Sequence, residues 1–332
     1  MSSRATGLRA VSLLLLSGCL AVLAAADSSV VEHPFLGVTH TIRTGGPPEF
    51  PRNVRIHVVS IDLTAPSLSF RLTPPGGSRD VARLSTLDYL KQQHAQIAIN
   101  AHFFMPFPSE DLNADVIGLA ASDGVVFSPF ELPQQNYAID RDAPAINIDG
   151  ANHAGIVTRA HGFSDGNCFL CVTNDGTHIQ EPVKLWNAFA GSGQIITNGV
   201  NTVPCYADEI HPDCKLAGPG PGNYSNSHSW FSLNNARSVI GLSRDNRTLI
   251  LFTVDRANGS DGMSLPEVAD LLLKDYGGYN ALNRDGGGST TLVMENPATH
   301  VPAIVNSSSD NPNGRVVATS LAVFAAPMPV SK

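Results

Sequence analysis

The sequence has no block of basic residues. Its net charge is −8 over 332 residues, and nothing along the chain offsets that acidity. A polyanionic nucleic-acid partner is therefore excluded on electrostatic grounds. Beyond the N-terminus, no stretch approaches the roughly 20 apolar residues that span a bilayer. No internal repeat is present. No GxGxxG opens a helix and no GK[ST] follows a glycine loop, so the common dinucleotide and nucleotide cradles are absent. Hydrophobic residues make up 42% of the chain, which is enough material for a globular core.

Cysteine is scarce, and its few positions bear on location. Arg4 and Arg9 precede the apolar run "VSLLLLSGCLAVLAAA", and Ala24–Ala26 offer small residues for cleavage. That is the pattern of an export signal over residues 1–26. A rival cut before Cys19, in "LSGC", would leave a lipidated cysteine. The apolar run continues past Cys19, which favours soluble export, secreted or periplasmic. Cys168, Cys171, Cys205 and Cys214 remain. An even count in an exported chain reads as disulfides, with three pairings open. Zinc is the sharper alternative, but the second pair lacks CxxC spacing. No thioredoxin-like pattern surrounds the CxxC, which argues against redox catalysis.

Periodicity points to an α+β fold: a mixed, largely antiparallel sheet core with a few flanking helices in one domain. Residues 27–53 read as an irregular segment, and 54–326 as the domain. "VRIHVVSIDL" alternates, slips phase at Val58-Val59 and alternates again, which predicts a bulged strand. "PSLSFRL" follows as its expected hairpin partner. Ser85-Thr86-Leu87-Asp88 and Ser264-Leu265-Pro266-Glu267 resemble capping boxes and predict helices. "QIAINAHFF" reads as a buried strand with polar residues at its end. Asp123-Gly124 and Asp149-Gly150 read as turns between short strands. From about His161 to Ser232 the chain reads as loop-rich. "RSVIGLSRDNRTLILFTVD" reads as a hairpin.

The stretch "NRDGGGSTTLVM", Asn283–Met294, places a carboxylate in front of nearly bare backbone. Glycine permits positive φ and close approach, and successive amides in such a turn can cradle an anion. A tight hairpin is the plainer reading. A calcium loop would need carboxylates besides Asp285. Asn100, His102, Arg237 and Asp255 also stand at the ends of apolar strands. Each has a structural alternative: Asn100 capping a turn, His102 a satisfied core histidine, Arg237 a partner for Asp255.

Taken in order, Asn100–Phe104, Ala190–Gly199, Ala236–Gly241, Val254-Asp255, Gly262–Ala269, Asn283–Thr290 and Arg315–Val317 resemble the motifs of the phosphodiester glycosidase family. The resemblance covers Val54 to Phe324. It implies hydrolysis at an anomeric carbon with a phosphate-ester leaving group, on a carbohydrate or sugar-phosphate substrate, with no cofactor. It implies Asp285 and Asp255 as catalytic carboxylates. Arg237, Arg315, Gly286, Gly287, Gly288 and Ser289 would hold phosphate, and Asn100 and His102 would orient the sugar or leaving oxygen. Arg256, Arg284 and His102 depart from the family pattern, and His102 and Arg256 point to a subgroup with its own substrate. The other class of function compatible with these motifs is a non-catalytic cell-surface glycan-binding protein.

Overall fold

A computed structural model describes residues 27–130, 143–160, 172–174, 177–203, 206–207, 216–217 and 231–329. Its largest element is an eight-stranded antiparallel sheet. Its third strand, Val54–Asp62, pairs with Val38–Gly45 on one side and Thr248–Val254 on the other. Next come Arg237–Leu242, Asn280–Asn283 and Gly193–Thr197.

The expected bulge at Val58-Val59 does not form. Both ladders of Val54–Asp62 run without a register shift. Val54, Ile56 and Val58 face one apolar cluster, while Val59 and Ile61 face another. A strand covered on both faces has no need to alternate, so the slip in phase reflects double burial rather than an inserted residue.

Residues 27–53 are not irregular either. Ser28–Phe35 and Val38–Gly45 form a hairpin that extends the sheet at its edge. Gly37 turns it at a φ of 74°. The polar and threonine-rich character of an edge hairpin conceals its alternation.

A second sheet, of five strands, packs against the first. Its order is Pro302–Ile304, Leu292–Glu295, Ile97–Asn100, Ser320–Phe324, Ser69–Leu72. The segment "PSLSFRL" therefore crosses to this layer and pairs with the C-terminal strand, not with Val54–Asp62. Phe70, Leu72, Ile97, Ile99, Leu292, Leu321 and Val323 meet Val59, Ile61, Ile240, Leu249, Leu251 and Leu282 between the sheets. Each such apolar side chain contributes roughly 1.5–3 kcal/mol when fully buried.

Helices close the outer faces. Leu265–Asp275 lays Leu265, Val268, Ala269 and Leu272 on the first sheet. Its start is held by Glu267, which accepts from the Ser264 amide at 2.8 Å, with Pro266 in the first turn. Thr86–Gln93 lays Tyr89 and Leu90 on the second sheet. The Ser85 hydroxyl accepts from the Asp88 amide at 3.0 Å, and His94 closes the helix in the left-handed conformation. The four layers run helix, sheet, sheet, helix.

A further five-stranded sheet carries Val125–Ser128, Ala120–Ser122, Asn187–Ala190, Ala145–Ile148 and Ala154–Val157. Asp123 and Gly124 make the turn of its first hairpin with positive φ. The span expected to be loops thus contains regular strands from Asn187 to Asn201. The cysteines Cys168, Cys171, Cys205 and Cys214 lie outside the described residues, as do Cys19 and the proposed signal. Among the described residues no helix is long and apolar enough to cross a membrane.

Candidate active site

The glycine stretch is not a hairpin. The strand before it, Asn280–Asn283, belongs to the first sheet, and the strand after it, Leu292–Glu295, to the second. The run is the crossover between layers. The Asp285 amide donates to Ala101 O at 3.2 Å, already on the second sheet's side. Gly287, Ser289 and Thr290 amides donate to Ala236 O, Gly286 O and Gly287 O at 2.9, 3.1 and 3.1 Å. Of the Gly286–Gly288 amides expected to cradle an anion, that of Gly287 is thus engaged with a protein carbonyl. The glycines act through close approach instead. A Cβ at Gly286 would lie 2.9 Å from Ala236 O, and one at Gly288 would collide with Asp310 and Arg315.

Asp285 sits at the mouth of this crossover, 8% exposed. Burial pushes its carboxyl up to about 6, against the Ser289 hydroxyl, the Arg315 charge and the Gly286 amide, while Asp310 adds to the rise. The Arg315 Nη1 donates to Ser289 Oγ at 3.1 Å. A chain of contacts therefore runs from carboxyl to hydroxyl to guanidinium. Arg315 Nε and Nη2 both donate to Asp310 Oδ2, the former at 3.0 Å. The guanidinium carbon lies 4.7 Å from the Phe107 ring centroid. Arg83, Phe107, Ser109, Asp310, Asn311 and Arg315 line an open cleft of about 330 Å³ beside this chain. A larger cleft of about 470 Å³, lined by Arg71, Asp123, Asp149 and Trp186, contains none of the candidate residues.

Asp255 ends the strand Thr248–Val254 and is fully buried. Its Oδ1 accepts from Asn306 Nδ2 at 3.2 Å and the Ser307 amide at 2.9 Å. Its Oδ2 has no hydrogen-bond partner among the described residues. Burial raises this carboxyl too, opposed by Ser307, Asn306 and Arg55. Asn306 Nδ2 also donates to Thr290 O at 3.1 Å, which ties Asp255 to the far end of the glycine turn. Arg237 separates the two carboxylates, its strand lying between theirs. It is 1% exposed, and it donates to Met263 O and Leu233 O.

Asn100 and His102 lie behind the site rather than in it. Asn100 is fully buried. Its Nδ2 donates to Asp285 O at 2.6 Å, and its Oδ1 accepts from Ser238 Oγ at 2.7 Å and the Thr291 amide at 3.1 Å. It staples the two sheets together beneath the carboxylate. His102, 1% exposed, contacts Thr319 Oγ1 at 2.8 Å through Nδ1 and Leu119 O at 2.9 Å through Nε2. Burial lowers it to about 3, so it is neutral at physiological pH. Both are buried, because strand ends that read as a rim from sequence point into the seam between layers. Arg284 is buried against Phe189 and lowered by burial to about 9.

Sequence reasoning missed Asp310, Asn306 and Arg83. The first two sit in "NSSSDNPNGR", which has the composition of a linker. Only the empty side of Gly288 hints that something packs there. Among the described residues no three His, Cys, Asp or Glu side chains gather as a metal site.

A family model described as Phosphodiester glycosidase matches residues 93–324. The mouse N-acetylglucosamine-1-phosphodiester alpha-N-acetylglucosaminidase is 26% identical over 242 residues, 72% of this chain and 40% of that protein. The chain thus matches well under half the length of that curated relative. The zebrafish N-acetylglucosamine-1-phosphodiester alpha-N-acetylglucosaminidase catalytic domain, solved auto-inhibited by its pro-peptide, superposes with a TM-score of 0.54 at 18% identity, covering 91% of this chain and 88% of that one. A hypothetical protein from Synechocystis superposes with a TM-score of 0.53 at 16% identity, covering 87% and 62%. These two likenesses concern the fold.

Proposed function

The chain belongs to the phosphodiester glycosidase family, and from that premise we propose that it hydrolyses a sugar 1-phosphodiester, with Asp285 as the catalytic carboxylate. The observation that carries this reading is the Asp285–Ser289–Arg315 chain at the edge of a cleft. Asp285 is nearly buried, titrates at about 6 and stands one hydroxyl away from a guanidinium. A carboxyl tuned near neutrality is suited to exchanging protons at working pH. Ionised at pH 7, it activates water at the anomeric carbon, or attacks that carbon, and stabilises the cationic character of the transition state. Phosphate leaves without much help from an acid. Arg315 and Ser289 supply donors for its oxygens.

In this reading Asp255 serves mainly to anchor. Its sealed position and its bonds to Asn306 and Ser307 support a role in holding the 306–308 segment over the glycine turn. The substrate would be an envelope or exopolysaccharide glycan bearing sugar 1-phosphates. The signal at residues 1–26 would export the enzyme to meet it, with Cys168, Cys171, Cys205 and Cys214 oxidised to disulfides.

The test is hydrolysis of a synthetic alkyl phosphodiester of N-acetylglucosamine 1-phosphate by the full chain and by Asp285→Asn. Turnover by the wild type, lost in a variant that still melts cooperatively, supports the proposal. Binding of the ester with no turnover by the wild type would leave a glycan-binding protein and end the enzymatic reading.

A further inference from the structure

Arg315 is a natural receiver for a phosphate group, yet its most useful edge is already taken. A guanidinium grips phosphate or carboxylate most strongly through the parallel donors Nε–H and Nη2–H. In this protein both point to one atom, Asp310 Oδ2. The other carboxylate oxygen has a single long contact, to Ser308 Oγ at 3.5 Å. Asp310 therefore engages the fork with half of its own capacity.

The position of that oxygen is as telling as its bond. Asp310 Oδ2 and Arg315 Nη2 both occupy the space a Cβ on Gly288 would fill. A negatively charged oxygen lies flush on the backbone of the turn that follows Asp285. That is the place where an oxygen of the leaving phosphate must sit if Arg315 and Ser289 are to hold it.

The segment bearing Asp310 is lightly tied. Residues 309–313 are exposed. Ser308 Oγ reaches Gly288 O at 3.4 Å and accepts from the Asn311 amide at 3.4 Å, while the Gly314 amide donates to Asn311 O at 2.8 Å. Asp310's side chain is 42% exposed and Arg315's 23%. Ion pairs this open to solvent contribute little to stability, so giving one up is cheap.

We propose that Asp310 is the specificity gate of the phosphate subsite: an internal carboxylate that occupies Arg315 until a phosphoryl group with two oxygens to offer displaces it. A neutral glycoside brings nothing that can take the fork from Asp310, so it meets a closed site. An anionic ester exchanges one oxygen for two. The idea rests on the proposed function for what the subsite holds, but its test does not require turnover.

The experiment is calorimetric titration of the full chain with inorganic phosphate, in the wild type, Asp310→Asn, Asp310→Ser and Asp310→Asn/Arg315→Gln. If the wild-type site is self-occupied nine-tenths of the time, freeing it tightens phosphate about tenfold. Both single variants are expected to show that gain, and the double variant to lose it. On a sugar 1-phosphodiester, Asp310→Asn is expected to lower KM more than it changes kcat. Unchanged or weaker phosphate binding in both single variants would overturn the proposal, since it would show Asp310 only props Arg315 in place. Tighter phosphate binding in a chain that hydrolyses no phosphodiester would uphold the gate while ending the hydrolytic reading.

Discussion

Two carboxylates end strands of the same sheet, and both are raised by burial, yet their surroundings differ. Asp255 is sealed under Asn306 and the Ser307 amide. Asp285 keeps a small opening and looks through Ser289 to Arg315 and the Phe107 cleft. Burial alone therefore does not distinguish the two. What separates the two is what they lead to: Asn306 and Ser307 donors fixed by the fold on one side, and on the other a serine hydroxyl that leads to a partly exposed guanidinium.

The comparison breaks most sharply under Asp285→Asn. Activity on a sugar 1-phosphodiester is expected to fall about a hundredfold or more, while the melting temperature at pH 7 holds or rises. The direction follows from linkage. A carboxyl raised in the folded state favours its protonated form, so its ionisation costs stability as pH climbs from the ordinary value near 4 through about 6. A neutral amide removes that cost. Assayed side by side, calorimetric melting and initial rates would show whether function falls without stability.

Gly288→Ala comes next. Its Cβ would meet the Asp310–Arg315 pair and push it off the turn, so KM is expected to rise about tenfold with little change in Tm. A steady-state titration of substrate reads this, and an unchanged KM would mean the pair lies outside the binding site. Asp255→Ala should reverse the pattern of Asp285→Asn. Orphaning the Ser307 amide and one of the two Asn306 Nδ2 donors costs about 1–3 kcal/mol, which lowers Tm by several degrees, and activity falls less than in Asp285→Asn. The smallest functional effect is expected from His102→Gln. Neutral and buried, His102 contributes packing and ring contacts to Thr319, Leu119 and Ala190, so Tm drops while the pH profile of activity keeps its shape.

How much of this was visible in the sequence divides along the range of the interactions. Both helices were readable because Ser85 and Ser264 sit within three residues of the groups they cap. The hairpin Arg237–Leu242 with Thr248–Val254 was readable for the same local reason. The layer crossings were not. "PSLSFRL" and "TTLVM" look like hairpin partners of their predecessors, and only the second sheet's demand for apolar strands draws them away. The glycine run was recognised as a place of close approach, but the approaching group, Asp310, is 22 residues further on in a stretch of serines and asparagines. Asn100 and His102 stood out as polar residues at a strand tip. Sequence does not say whether such a tip faces solvent or a seam, and here it faces the seam.

The most direct test of the whole account is the pH dependence of kcat/KM for a sugar 1-phosphodiester. If Asp285 does the chemistry in its ionised form, the rate falls tenfold per pH unit below a midpoint near 6, the value its burial sets. A profile flat down to pH 4.5, or an acid limb centred at the ordinary aspartate value, would contradict it.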